Sequence, residues 1–174
     1  GRIDIGIGKG TVYNEYEFVG HGLRSEDSRE RMNETVDILQ RAWSGDALDY
    51  KGVHYNVQAP EIRPKPYQPA GPPLWRSVIS PGSFTECGRL GIPVLTSRLA
   101  VDRIRERWAL YEAGLAEGGH DAETCARLLA QCALWRNVYI ADSDAQARDE
   151  LAALLLQTRN HMMHVREAYN PKDF

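Results

Sequence analysis

Apolar positions along this chain recur with two different periods, and the changes of period mark its elements. Ile3, Ile5 and Ile7 stand at every second position, which predicts a strand over 3–7 buried on at least one face. Three more short apolar runs, 74–79, 92–96 and 134–141, are bounded by Gly, Pro or polar residues and predict further strands. Between them the spacing turns helical. Met32, Val36, Leu39 and Trp43 share one face of a helix that Asp27 and Glu30 open and Gly45 closes. Ser80-Pro81-Gly82-Ser83 starts a helix to about Leu90, stopped by Gly91. Ile104, Trp108, Tyr111 and Leu115 define a third, ended by Gly118-Gly119. Asp121 caps a shorter helix through Leu128, and Ser143 with Gln146 opens a long one through Leu155.

Two stretches carry no long period. Residues 11–22 are aromatic and read as irregular, whereas 49–55 reads as two short strands about Gly52. Six prolines (60, 64, 66, 69, 72 and 73) make 60–73 an extended loop. Strands alternating with helices predict a parallel sheet with right-handed crossovers. Such sheets hold ligands at the carboxyl ends of their strands. Here those ends are 8–10, 77–83, 96–98 and 141–143.

The chemistry at these ends is modest. Gly6, Gly8 and Gly10 remove side chains where the first strand turns, and Lys9 adds a cation, which suits an anion or simply a tight turn. The spacing is not the G-x-G-x-x-G of dinucleotide folds. Ser80 and Ser83 read either as helix caps or as hydroxyls for a phosphate. Arg98 reads as an anion ligand or as half of a surface ion pair. His161 and His164 have helical metal spacing without a third ligand nearby, and His21 and His54 lack a local carboxylate partner. No Walker loop, G-x-S-x-G or Cys/His nucleophile pattern occurs.

Composition narrows the class. The 174 residues carry 21 basic and 24 acidic side chains for a net charge of −3, with no basic stripe for nucleic acid and no membrane-length apolar run. Cys87, Cys125 and Cys132 are widely spaced, which points to reduced thiols and a cytoplasmic setting. The chain opens without Met inside a strand, so it is expected to be an internal piece.

The ordered set of motifs resembles the luciferase-like flavin-dependent monooxygenases. It runs from Gly1-Arg2 and Gly6–Gly10 through Glu15–Gly20, the Arg29–Trp43 helix and Tyr50–Tyr55 to Pro64–Pro69. It continues with Pro73-Leu74-Trp75, Ser80–Ser83 and Gly91–Leu95. The resemblance implies a partial (β/α)8 TIM barrel over 1–174, with about four parallel strands, flanking helices and a hairpin and Pro-rich insertion over 46–73. The upstream strands and the last strand would be missing, and the piece alone would be inactive. It implies reduced FMN, often delivered by a separate flavin reductase, and insertion of one atom of O2 into a small organic substrate. It also implies a homodimer at full length. Lys9, Ser77, Ser80 and Ser83 would bind the cofactor, while Tyr13 and Trp75 would line the substrate pocket. Lys9 stands where the family often has Arg, which loses the planar fork. Ile79 stands where bacterial luciferase has a carboxylate, so light emission is not implied. The same fold also serves deazaflavin-dependent hydride transfer, and a non-catalytic truncated barrel or binding subunit is a third possibility.

Overall fold

The alternation of apolar runs is realised as one parallel sheet. A computed structural model describes residues 2–45, 47–69 and 71–173. In chain order its elements are β1 (Ile5–Ile7), a 3-10 turn (Val12–Asn14), α1 (Glu15–Gly20), a second 3-10 turn (Ser25–Asp27), α2 (Ser28–Ser44), β2 (Leu48–Lys51) and β3 (Asn56–Ala59). There follow β4 (Leu74–Ser77), α3 (Pro81–Arg89), β5 (Val94–Ser97), α4 (Val101–Glu117), α5 (Ala122–Gln131), β6 (Ala133–Trp135) and α6 (Asp144–Tyr169). The strands order β1-β4-β5-β6, all parallel, and β2 with β3 forms a separate antiparallel hairpin. Contacts divide the chain into two compact units. One takes the residues up to Lys9 and Glu30–Arg136; the other takes Gly10–Arg29 and the residues from Asn137 onward.

In the first unit the helices α3, α4 and α5 share a core with one face of the sheet. Val78, just past β4, and Val94 of β5 meet Phe84, Cys87, Tyr111, Leu115 and Leu128 from the helices. Phe84 and Trp108 pack with ring centroids 5.6 Å apart. The Tyr111 hydroxyl, inside this core, donates to the Ile92 carbonyl at 3.1 Å. The helices approach closely because glycine faces glycine. A β-carbon built on Gly88 would lie 2.2 Å from the Tyr111 carbonyl oxygen, and one on Gly114 would lie 2.3 Å from that of Thr85. Thr96, buried in this unit, has a hydroxyl without a hydrogen-bond partner.

The hairpin is gripped from α2. The Glu34 carboxylate accepts the backbone N–H groups of Val53 (2.8 Å), His54 (3.2 Å) and Tyr55 (3.0 Å). Burial opposes ionisation of Glu34, but these three donors outweigh it and hold the carboxyl below its ordinary value of 4.5.

In the second unit, residues 13–16 are tied to the end of α6. The Asn170 amide accepts from the Tyr16 N–H and donates to the Tyr13 carbonyl, each at 3.0 Å. Glu15, almost wholly buried, accepts from the Ser25 N–H at 3.0 Å and pairs with Arg24 at 3.3 Å. These contacts explain why residues 11–22, expected to be irregular, form a 3-10 turn and a short helix. Two other boundaries also moved. The last strand was expected over 134–141 and ends at Trp135, because β5, its neighbour, ends at Ser97, its partner in register. Gln146 does not reciprocate the Ser143 cap; its side chain bonds Glu150 instead, at 2.7 Å.

Two stability outcomes follow in the intact protein. Gly88→Ala or Gly114→Ala should cost about 1–3 kcal/mol by overpacking, whereas Thr96→Val should be neutral or stabilising by up to about 1 kcal/mol. Denaturant titration of the three variants measures both. The second outcome concerns pH. Because the folded Glu34 carboxyl titrates below its unfolded value, its contribution is complete above the ordinary value and is lost as the pH falls through the depressed one. The urea midpoint of wild type should therefore exceed that of Glu34→Gln at neutral pH, and the gap should close on acidification. A gap independent of pH would contradict this origin.

Candidate functional site

Parallel register brings the carboxyl ends of the strands to one edge. Ile7 of β1 stands opposite Arg76 of β4, and Ser77 of β4 opposite Leu95 of β5. Gly8-Lys9, Ser77–Ser80 and Ser97-Arg98 therefore leave the sheet side by side. The two faces differ sharply. Val78, Val94 and the neighbouring Thr96 and Arg76 are buried. The alternate positions form the other face, where the small residues Gly6, Gly8, Ser77, Ser97 and Ala133 stand among Trp75, Leu95 and Trp135, and Gly6, Gly8, Ser77 and Ala133 are exposed. Gly8 and Ser77 adjoin there: a β-carbon on Gly8 would lie 3.5 Å from that of Ser77. Gly10, which follows, has φ of 80°, so the glycine-rich turn is a true left-handed turn at that position.

The turn from β4 into α3 carries the two serines. Ser80 is the residue before the helix, in extended conformation, with Pro81 at the first helical position. Its hydroxyl makes no capping bond to the backbone. It lies instead 2.8 Å from the Ser83 hydroxyl one turn on. Pro81 has no N–H and the Ser83 N–H bonds the Ser80 carbonyl at 3.2 Å, which leaves the Gly82 N–H as the open donor of the first turn, with two hydroxyls beside it. The capping alternative for Ser80 is not what its side chain does.

A cation that the sequence reading passed over also reaches this turn. Arg107 of α4 donates from Nε to the Ile79 carbonyl at 3.4 Å, the peptide immediately before Ser80. Its side chain is 15% exposed and lies 3.8 Å from Glu106. The only sequence signal was its position three residues after Ile104, on the flank of the apolar stripe.

Other candidates are placed differently. Trp75 sends its indole N–H to the Gln131 carbonyl at 2.9 Å, at the end of α5 that leads into β6. That bond carries the indole across β5 toward the start of β6. Arg76, buried beneath β4, bonds the Asn33 amide oxygen at 2.5 Å and pairs with Glu86 at 3.5 Å. Tyr13 belongs to the second unit, where its exposed ring lies 5.4 Å from the Arg166 guanidinium. Arg166 also donates to Asn14 at 3.1 Å. Among the described residues no group of three His, Cys, Asp or Glu side chains could hold a metal, and no helix is long and apolar enough to cross a membrane. Burial pushes the Cys87 thiol up to about 11, so it is no nucleophile at neutral pH.

The edge as a whole suits a phosphate monoester. It offers hydroxyl donors, the open Gly82 N–H, a lysine one strand away and a largely buried arginine behind the turn.

Comparison with known proteins agrees with this architecture. The family model described as luciferase-like monooxygenase matches residues 1–173. The oxygenase component of a flavin-dependent trigonelline monooxygenase from Acinetobacter baylyi is 27% identical over 149 residues, which is 85% of this chain and 40% of that protein. An F420-dependent glucose-6-phosphate dehydrogenase from Gordonia bronchialis is 28% identical over 133 residues, 74% of this chain and 39% of that one. Among solved structures, the oxygenating constituent of 3,6-diketocamphane monooxygenase from Pseudomonas putida, in complex with FMN, superposes with a TM-score of 0.67 at 18% identity. It covers 92% of this chain and 50% of its own. The chain thus spans about two fifths of the length of these curated relatives. Its four parallel strands and flanking helices are part of a TIM-barrel fold.

The burial of Cys87 has a direct readout. In the native protein iodoacetamide should leave Cys87 unmodified at mildly alkaline pH, and modification should appear only in denaturant. Peptide mass mapping with and without urea measures it, and rapid native labelling of Cys87 would contradict the packing around it.

Proposed function

The chain belongs to the luciferase-like monooxygenase family, and from that premise we propose that the intact protein is an FMN-dependent monooxygenase acting on a small organic substrate. The observation that carries the cofactor assignment is the Ser80–Ser83 hydroxyl pair at the start of α3, on the same parallel sheet edge as Lys9. Bound reduced FMN would supply the chemistry by which one atom of O2 enters the substrate and the other leaves as water. The chain's own residues bind and orient. Ser80, Ser83 and the Gly82 N–H take the phosphate, Lys9 adds charge, and Arg107 holds the Ile79 carbonyl so that the turn keeps its shape. Ser77, next to Gly8 on the exposed face of the sheet, borders the space left for the ring system. Tyr13 and Trp75 are assigned to the substrate side.

The relative from Acinetobacter is named an oxygenase component, which supports a partner reductase that delivers the reduced flavin. Segments outside these 174 residues complete the barrel in this reading, with 46–73 as an insertion and a homodimer as the assembly. A second reading has its own support: the relative from Gordonia is F420-dependent, so hydride transfer with a deazaflavin on the same edge is the alternative.

Cofactor binding decides between them. The intact protein should bind FMN saturably, and Ser80→Ala with Ser83→Ala should raise its Kd about tenfold or more, the loss of two hydrogen bonds to a charged group. Substrate-dependent O2 uptake, with a reductase supplied, should accompany binding. Tight F420 binding with anaerobic substrate oxidation and no affinity for FMN would establish the hydride-transfer reading instead.

A further inference from the structure

Arg98 closes β5 with φ of 63°, and among the described residues it is the non-glycine residue held at positive φ. An arginine there carries backbone strain that glycine or asparagine would avoid. Strain of this kind persists where the side chain is wanted. No compensating contact is present: Arg98 is exposed and makes no ion pair or hydrogen bond to the described residues, so the surface-pair alternative finds no partner. Its position in the sheet is specific. The β4–β5 ladder pairs Ser77 with Leu95, and the Val78 N–H bonds the Leu95 carbonyl at 3.0 Å. Ser80 and Arg98 each stand three residues past these partners, beyond the ends of β4 and β5 at the same sheet edge. On the other side of β4, Ile7 pairs with Arg76, so Lys9 leaves β1 level with Val78. The exit of β4 thus lies between those of β1 and β5, each of which is followed by one cation, Lys9 and Arg98.

We propose that Arg98 is a specificity-determining residue of this edge, retained in a strained turn because its guanidinium recognises the phosphate of the flavin nucleotide. The inference rests on the FMN reading above. It supplies the planar fork that Lys9 lacks, from the opposite side of the Ser80–Ser83 pair. It also separates stability from binding, because the backbone would be more stable without it.

The test measures Kd for FMN and for riboflavin, which lacks the phosphate, together with the denaturation midpoint, in the intact protein. Arg98→Gly and Arg98→Asn should both raise the midpoint. Both should weaken FMN about tenfold while changing riboflavin by less than about twofold. Arg98→Lys, which keeps charge and strain, should retain part of the preference for FMN. An unchanged FMN-to-riboflavin ratio in both the Gly and Asn variants, with wild type preferring FMN, overturns the role of Arg98 alone. A lower midpoint in both variants overturns the claim of strain. Equal affinity of wild type for FMN and riboflavin removes the phosphate reading of the whole edge, and this inference with it.

Discussion

The contact between the backbones of α3 and α4 is the constraint on which the first unit depends. Gly88 and Gly114 let each helix rest on the other's carbonyl oxygens, with Phe84, Tyr111 and Leu115 buried around the crossing. A helix held this close cannot slide along its neighbour, because packed interiors have no room to absorb the shift. The start of α3 is therefore fixed relative to α4, and both are fixed on the sheet through Val78 and Val94. The Arg107–Ile79 bond belongs to the same arrangement, since it spans from α4 to the turn that α3 begins. The hydroxyls of Ser80 and Ser83 inherit their positions from a packing interface on the far side of the strand.

Electrostatics at this edge are arranged in layers. In the FMN reading the Gly82 N–H, the Ser80 and Ser83 hydroxyls and the Arg98 fork act at contact range, and the charges of Lys9 and Arg107 act from the surroundings. A dianion is well served by that distribution, because several partial charges desolvate less than one full ion pair would. Of the acidic residues in this unit, Glu34 is committed to the hairpin and Glu86 to Arg76 beneath the sheet, while Glu106 lies beside Arg107.

Much of this was legible in the chain because it is local. The four strands follow from β-branched and apolar runs, and the start of α3 follows from Pro at the first helical position after a serine. What was not legible depends on partners distant in sequence. Val138, Tyr139 and Ile140 have every intrinsic mark of a strand, yet the ladder stops at Trp135 because Arg98 turns β5 away after Ser97. Residues 11–22 look irregular until Asn170, from the far end of the chain, bonds Tyr13 and Tyr16. Trp75 looks like a pocket residue by its place on a strand, and only the carbonyl of Gln131 shows which way its indole is held. Arg107 was hidden because a periodic helix face is read for its apolar members, while the arginine at its flank completes a neighbouring turn.

Beside Trp75, Leu95 and Trp135, the small positions Gly6, Gly8, Ser77, Ser97 and Ala133 of the exposed sheet face have a consequence for how such a chain diverges. These five are already at or near the smallest their positions permit, so change at them runs in one direction only: each replacement adds atoms and takes space from whatever lies in front. The opposite face, filled by Val78, Val94 and the helices, does not register these additions. Shape selectivity on this side of the sheet can therefore drift in steps of one or two carbon atoms while the core that holds the strands in place stays the same.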